Sequence, residues 1–234
     1  MTAGSLRIGL LGGTLDPIHV GHLDAAEAAR TSLALDGIVV IPSHDPPHRP
    51  VDPHASAFHR FAMVSLAIDG RAGYRVSDME LHRDGPSFTA LTLRDWHAAG
   101  WQPSQLFFII GADAFAEIAT WYDYPAILDA CQFAVVARPG TTVIDALERT
   151  PDLRPRVGDT IHLVDAPTAA VSSTEVRARL AAGVPVDGLV PPAVARHIAA
   201  HQLYRDGSAA TSHLRRSGSG AQADVAMNDL HGQD

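Results

Sequence analysis

The sequence predicts one doubly wound α/β domain built on a parallel sheet, and three observations predict it. Short apolar runs of strand length recur along the chain, and segments with helical spacing lie between them. The runs are continuously apolar, which is typical of strands that are covered on both faces of a parallel sheet. The chain has 234 residues, 46% of them hydrophobic and 19% charged, which suffices for one sizeable core.

The elements follow in chain order. The predicted strands are residues 6–11, 38–41, 106–110, 133–137 and, with the weakest pattern, 161–164. The first helical segment is rich in Ala and Leu, and a proline pair opens the last one, since proline is tolerated in a first turn. The predicted helices are residues 22–35, 57–68, 89–99, 173–182 and 193–201. Their alternation with the strands favours the doubly wound arrangement.

Two internal segments and the C-terminus lack such patterns. Residues 42–54, with five prolines, and residues 149–159 are predicted loops. The domain is predicted to span residues 1–204. Residues 205–234 are rich in Ser, Gly, Ala, Asp and Arg and have few large apolar groups, so we expect a disordered tail that cannot offset its ordering entropy.

Charge and composition exclude several function classes. The formal net charge is −8, which disfavours broad nucleic-acid binding. All 18 basic residues are Arg, so a cationic contact to phosphate must come from Arg or His. Cys131 is the sole cysteine, and no apolar stretch approaches the roughly 20 residues of a membrane helix. We therefore expect a cytoplasmic protein with no membrane partner; whether it forms a homo-oligomer is left open.

The stretch "LGGTLDPIHVGHL" after the first strand has the features of a phosphate site. Gly12, Gly13 and the following threonine, Thr14, form a turn before a helix, where free N–H groups and the helix dipole attract an anion. His19 and His22 are three residues apart, so both rings are expected to reach one phosphate. Gly21 between them is expected to leave room for a flat base or a phosphate. The alternative is that these are capping or core histidines.

A second stretch, "VSSTEVRARL", suggests another phosphate contact. Ser172 or Ser173 is expected to cap a helix, and Thr174 adds a further hydroxyl at its start. Arg177, one turn later, has the fork of donors that binds phosphate in a bidentate manner. The alternative is an ordinary amphipathic helix with a serine cap.

These two stretches resemble the signature motifs of the HxGH nucleotidyltransferase superfamily. "GGTLDPIHVGH" is similar to GGTFDPxHxGH, with Leu15 in place of Phe, for which we expect only a packing change. "VSSTEVR" is similar to ISSTxxR, which that family uses for the β- and γ-phosphates of ATP. The resemblance implies a Rossmann-like nucleotidyltransferase domain with these roles. The implied catalytic residues are His19, His22 and Arg177, and the implied ATP-binding residues are Gly12, Gly13, Thr14, Gly21, Ser172, Ser173 and Thr174.

Two further stretches resemble the nicotinate-nucleotide adenylyltransferases within that superfamily. "PSHDPPHRP" is similar to their PxxxPPHK/R loop, which implies that His48 and Arg49 contact phosphate. "GPSFTALTL" is similar to PSYTxxTL, which implies that Thr89 contacts the nicotinate end. A metal site is the competing interpretation of a group of histidines in and after the proline-rich loop. It lacks cysteines and tight ligand spacing, so no metal ligand is assigned to His44, His48, His54 and His59.

The stretch "FIIGADAFAEIATWYDYPAIL" bears on both substrates. Gly111 and Asp113 stand at the carboxyl end of a predicted strand, where doubly wound folds bind ligands, and Asp113 can accept from a ribose hydroxyl. The "TWY" string resembles the family's stacking Trp and a backbone donor to the nicotinate carboxylate, here Trp121 and Tyr122. Arg138 matches an Arg beside the family's pocket. As a bare string, "WYDY" is more typical of core or surface aromatics.

Together, five stretches in the family's order imply transfer of AMP from ATP to nicotinate mononucleotide, giving deamido-NAD and pyrophosphate. The nucleophile is a phosphate oxygen that is already ionised, so the absence of a catalytic triad is no obstacle. Mg²⁺ is implied as a cofactor bound through the ATP phosphates, mostly through water. The alternatives are another adenylyl- or cytidylyltransferase, such as one for pantetheine phosphate, and a noncatalytic nucleotide-binding module. Preference for the acid or the amide mononucleotide is left open.

Overall fold

The computed structural model describes residues 6–47, 53–137 and 143–205. Within them, six parallel strands form one sheet. In chain order they are β1 (Ile8–Gly13), β2 (Gly37–Pro42), β3 (Tyr74–Val76), β4 (Leu106–Gly111), β5 (Gln132–Val136) and β6 (Ile161–Val164). Their order across the sheet is β3-β2-β1-β4-β5-β6, and all neighbours are parallel.

The order of the strands reverses between β1 and β4. From β1 the chain moves outward to β2 and β3, then returns to place β4 on the other side of β1. The register pairs Ile8 with Leu106 and Leu10 with Phe108. In open parallel sheets, a crevice for ligands opens outside the carboxyl ends of the strands at such a point.

Helices cover both faces of the sheet. The α-helices are α1 (Val20–Ser32), α2 (Ala57–Ile68), α3 (Thr89–Ala98), α4 (Ala112–Phe115), α5 (Ile127–Ala130), α6 (Val143–Arg149), α7 (Ser173–Ala181) and α8 (Pro192–Ala200). Short 3-10 helices are Pro103–Gln105, Ile118–Thr120 and Pro151–Arg156. No helix in these described ranges is both long and apolar enough to cross a membrane.

The core has two layers, one on each face of the sheet. Successive strand residues point to opposite faces, so Leu11 packs in one layer and Leu10 in the other. The first layer includes Ala26 of α1, Met63 of α2 and Val194 of α8. The second layer is formed with α3, α4 and α5. The predicted doubly wound parallel fold is thus confirmed.

The prediction missed β3 and the shorter helices. The three residues of β3 read Tyr-Arg-Val and form no apolar run, so the strand depends on its pairing with β2. The predicted loop at residues 149–159 is wrong in its centre, where Pro151–Arg156 forms a 3-10 helix. Proline suits a first helical turn, and burial of Leu153 anchors the segment. The predicted disorder of the tail concerns residues that, beyond position 205, lie outside the described ranges.

Candidate active site

A cavity of about 350 Å³ opens at the carboxyl edge of the sheet, lined by the ends of β1 and β4. This is the switch point at which open α/β sheets bind ligands. The predicted site residues that line it are Gly12, Gly13, Thr14, His22, Thr89, Gly111, Asp113, Trp121 and Tyr122. The structure therefore brings the predicted phosphate turn, Gly12 to Thr14, and the predicted ring-binding residues Trp121 and Thr89 to one place.

His19 and His22 lie against each other at the start of α1. His19 is the N-cap residue, so the helix begins at Val20 and not at residue 22 as predicted. The two rings stack with centroids 3.7 Å apart, and the His19 N–H donates to Nδ1 of His22 at 3.3 Å. Only His22 lines the cavity, because His19 is 2% exposed and lies behind it. With Nδ1 accepting, a neutral His22 ring carries its proton on Nε2, a tautomer assigned from the hydrogen bond.

Gly21 does not provide the predicted room for a ligand. The residue is buried, and a Cβ there would meet the Ala169 carbonyl oxygen at 3.1 Å and Nδ1 of His19 at 3.2 Å. The missing side chain instead lets the segment before α7 approach α1 closely. The side chain of Asp24 holds that approach, accepting from the Ala169 N–H at 2.9 Å. The missing side chain therefore has a role in packing, and the expected role of Gly21 in ATP binding stays a prediction.

Asp16, within the first motif, is fully buried and hydrogen-bonded on several sides. Its carboxylate accepts from the N–H of His54 at 2.8 Å and of Ala55 at 3.1 Å, just before α2. It also accepts from the Tyr204 hydroxyl at 2.7 Å. Burial, together with the Asp16 charge, raises the pKa of Tyr204 above its usual range. Asp16 thus joins the phosphate turn to two distant parts of the chain.

Arg60 of α2 is buried beneath the phosphate turn and holds it by a hydrogen bond to Thr14. Its side chain is 1% exposed, and the guanidinium donates to the carbonyl oxygens of Thr14 at 2.8 Å and Ser43 at 2.6 Å. It also donates to the carbonyls of His44 at 3.1 Å and Ala55 at 3.1 Å. One buried cation therefore holds the end of β1 and the segment after β2 in fixed relation.

The second motif lies beside the first through hydrogen bonds to its backbone. Ser172 caps α7, accepting from the Glu175 N–H at 3.1 Å, and Ser173 donates to the Pro17 carbonyl at 2.9 Å. Arg177 donates to the Asp16 carbonyl at 2.7 Å and to Oγ1 of Thr174 at 3.2 Å. These hydrogen bonds bring the start of α7 against residues 16 and 17 of the first motif. None of these second-motif residues lines the cavity as the structure stands.

The opposite wall of the cavity is aromatic. Phe88 and Tyr122 stack with centroids 4.5 Å apart, and Trp121 packs edge-on against Phe108 at 6.0 Å. Thr89, the first residue of α3, lines the same cavity. These rings form an apolar lining for a flat heterocycle.

Ser87 fastens that wall to the segment after β2. Its hydroxyl oxygen accepts from the N–H groups of His44 at 2.9 Å and Asp45 at 3.3 Å, and its own N–H donates to the Asp45 carbonyl at 2.7 Å. Pro46 and Pro47, which follow, line the cavity. The next predicted contacts, His48 and Arg49, lie outside the described residues, as does Arg138.

Glu80 is a buried carboxyl on the cavity wall that sequence reasoning missed. It is 6% exposed, accepts from the Thr92 hydroxyl, and lies near Arg83, whose guanidinium donates to that same hydroxyl at 3.3 Å. Burial raises the pKa of Glu80, against the opposing effect of the Thr92 and Ser87 hydroxyls. Its position just beyond β3 would have signalled it, because parallel strands end at the ligand edge. The unpredicted strand hid that signal.

A family model and curated proteins of known sequence match most of this chain. The family described as "Cytidylyltransferase-like" matches residues 10–179. A protein from Symbiobacterium thermophilum named "Probable nicotinate-nucleotide adenylyltransferase" is 40% identical over 203 residues, which cover 86% of this chain and 96% of the relative. A protein of the same name from Cronobacter sakazakii is 39% identical over 212 residues, covering 83% and 94%.

A solved structure has the same fold. The Plasmodium falciparum nicotinic acid mononucleotide adenylyltransferase complexed with NaAD superposes with a TM-score of 0.67 at 17% identity, covering 85% of this chain and 97% of that one. At that identity the likeness concerns the fold alone. Because the family match spans most of the chain and the relatives are about 40% identical over most of their own length, the chain belongs to the cytidylyltransferase-like family and is a member of its nicotinate-nucleotide adenylyltransferases.

Proposed function

We propose that this protein transfers AMP from ATP to nicotinate mononucleotide, forming deamido-NAD and pyrophosphate in NAD biosynthesis. One observation carries the proposal. A single cavity joins a glycine turn suited to phosphate with an aromatic wall suited to a pyridine ring. The names of the relatives support the same reaction.

ATP occupies the phosphate side in this proposal. Gly12, Gly13 and Thr14 line the cavity at the end of β1, and the positive end of the α1 dipole attracts an anion. Asp113, an exposed carboxylate just after β4, accepts from the ribose hydroxyls. The adenosine and its phosphates thus lie along the carboxyl ends of the two central strands.

Nicotinate mononucleotide occupies the aromatic side. Trp121 stacks on the pyridine ring, and its edge contact with Phe108 limits how the indole turns. The backbone of Thr89, at the start of α3, contacts the nicotinate carboxylate. This arrangement places the mononucleotide phosphate between the ring site and the glycine turn.

The chemistry is one in-line displacement. A phosphate oxygen of nicotinate mononucleotide forms a bond to the α-phosphorus of ATP, and the bond from that phosphorus to the bridging oxygen of the β-phosphate breaks. Pyrophosphate leaves with the electron pair. The nucleophile is already ionised, so the protein supplies alignment, which in good cases is worth about 7–11 kcal/mol, together with donors for developing charge.

His22 is the donor proposed for the α-phosphate, through the proton on Nε2. His19 holds that ring by stacking and by its backbone N–H. Arg177, with Ser173 and Thr174 at the start of α7, stabilises the leaving pyrophosphate. Arg177 has five N–H donors, and its bonds to Asp16 and Thr174 use only two of them.

Mg²⁺ enters this proposal bound to the ATP phosphates. Magnesium keeps several waters and takes few protein ligands beside phosphate oxygens. Because Asp113 is assigned to the ribose in this proposal, the ion would be held by the ATP phosphates and by water. When bound, the ion would reduce the negative charge of the polyphosphate.

We also propose that the protein works in the cytoplasm. Its single thiol, Cys131, is buried, and burial raises the pKa of that thiol, which keeps it protonated and unreactive. The structure therefore uses its one cysteine as a small apolar core residue, as suits a reducing compartment.

The test is a pyrophosphate-release assay with ATP, Mg²⁺ and a panel of acceptors. Nicotinate mononucleotide is expected to give release, and phosphopantetheine none. Nicotinamide mononucleotide in the same panel measures the preference between acid and amide. The proposal would be overturned if phosphopantetheine were the only acceptor that gave release, or if none of the acceptors in the panel gave release.

A further inference from the structure

Three histidines meet where α2 packs against the end of α8. His59 belongs to α2, His197 to α8, and His201 is the residue that ends α8. One ring nitrogen from each lies within 4.8 Å of the other two, and Nδ1 of His59 is 3.1 Å from Nε2 of His197. Among the residues that the structure describes, this is the group of His, Cys, Asp or Glu side chains close enough to share an ion.

In the sequence, His59 follows His44, His48 and His54, a group without cysteines or tight ligand spacing to which no metal ligand is assigned. The structure pairs it instead with His197 and His201, which are four residues apart and so project from the same face of one helix. That spacing is the one used by helical histidine pairs that bind zinc.

The chemistry of the cluster fits a transition-metal dication. With Zn–N bonds of about 2.0–2.1 Å in tetrahedral geometry, ligand nitrogens lie about 3.3 Å apart. The 3.1 Å pair already meets this separation, and rotation of the exposed His201 ring closes the remainder. Imidazole nitrogens suit zinc and its neighbours in the first row, while magnesium and calcium prefer oxygen.

The surroundings favour the neutral rings that a metal requires. Burial, with the neighbouring His201, lowers the pKa of both His59 and His197. Neutral imidazole binds a metal without first losing a proton. The exposed edge at His201 leaves a fourth position open to water and gives an ion a path from solvent.

We propose that His59, His197 and His201 form a zinc site that joins α2 to α8. With three protein ligands and a fourth position open to water, the ion links α2 to α8 next to the active site. Arg60, which follows His59, holds the phosphate turn, and Tyr204, which follows α8, holds Asp16. Zinc therefore stabilises the two helices from which the first motif is supported, and it takes no part in the phosphoryl transfer.

The competing account is a cluster of neutral histidines with tilted rings and one N–H···N hydrogen bond. The experiment uses the full chain, without a polyhistidine tag, after treatment with a chelator. Zn²⁺ is titrated against a chromogenic chelator, and thermal unfolding is followed with and without one equivalent of Zn²⁺. We expect one tight site per chain and a higher Tm in the presence of zinc.

The variants His59→Ala and His201→Ala are expected to weaken zinc binding by about 100-fold or more, since even loss of an outer-shell partner costs 10- to 100-fold. Both are expected to lose the zinc-dependent rise in Tm. His201 is exposed, so its replacement leaves the metal-free fold intact. This makes the test independent of any loss of packing at His59.

Two control variants show where zinc binds. His82→Ala removes an exposed histidine bonded to Asp78, and His22→Ala removes the histidine of the cavity. Both are expected to keep wild-type affinity for zinc. Unchanged affinity in His201→Ala, or a loss in His22→Ala instead, would overturn the proposal. So would the absence of a one-to-one site in the wild-type chain. Pyrophosphate release is measured in a separate assay. The zinc proposal and the proposed transferase function can therefore be refuted independently of each other.

Discussion

The hydroxyl of Tyr204 donates a hydrogen bond of 2.7 Å to the carboxylate of Asp16, a residue 188 positions earlier in the chain. Both side chains are buried, at 5% and 0% exposure. Asp16 stands inside the first motif, between the glycine turn and the two histidines. The last described helix is thereby anchored to the phosphate turn.

Tyr204→Phe is expected to lower the free energy of unfolding by about 1.5–3 kcal/mol, because it removes a donor from a buried charged acceptor. The ring and its packing remain, so the loss reports the hydroxyl alone. Urea unfolding measures it. A loss below about 0.5 kcal/mol, the level of an ordinary surface substitution, would show that the bond carries little of the anchoring.

Truncation locates the end of the domain at the same residue. A chain that stops after Arg205 is expected to keep the thermal stability and turnover of the full chain. A chain that stops after Leu203 loses Tyr204 entirely and is expected to unfold at least as easily as Tyr204→Phe. If the chain that stops after Arg205 were also destabilised, residues 206–234 would contribute to the stability of the domain.

His22→Ala is expected to reduce kcat by about 10²–10³, the usual cost of removing one donor to a developing negative charge. His22→Asn is the matched variant, because its amide oxygen can still accept the His19 N–H while the ring donor is lost. We expect both to lose turnover and the Asn variant to keep more of the thermal stability. Turnover near the wild-type value in a folded Ala variant would exclude His22 from the chemistry.

Trp121→Ala is expected to raise the KM for nicotinate mononucleotide about two- to twelvefold, from the loss of a ring stack worth about 0.5–1.5 kcal/mol. The KM for ATP should change less. Trp121→Phe keeps a ring, so its KM for nicotinate mononucleotide is expected to lie between those of the wild type and Trp121→Ala. Steady-state kinetics with each substrate varied in turn decides the point, and equal effects on both KM values would speak against stacking on the pyridine.

Glu80→Gln tests the raised pKa of the buried carboxyl. A carboxyl with a raised pKa in the folded state contributes stability below its unfolded pKa and loses it as pH rises through the folded value. Gln does not titrate, so the variant is expected to gain stability relative to wild type between about pH 5 and pH 8. Urea unfolding at both pH values measures this, and a difference that stays constant with pH would contradict it.

The elements that could be predicted are those with local causes. Continuous apolar runs placed β1, β2, β4, β5 and β6, and the start of α2 at Ala57 matches its prediction. The first motif could be located because a glycine turn and two histidines lie within 13 consecutive residues. The three-residue β3 has no such pattern, since hydrogen bonds to β2 define it.

Spacing and motifs along the sequence therefore determined the doubly wound fold, the phosphate turn and the aromatic residues opposite it. Tertiary structure alone decided which side chains support them. Asp16 finds its partners 38, 39 and 188 residues away, and Arg60 reaches Thr14 across 46 residues. Tertiary packing also places the Ala169 carbonyl against Gly21 and brings His59 to His197 across 138 residues. The physical reason is that hydrophobic periodicity reports which face of an element is buried, while contacts between distant residues form only when the elements pack.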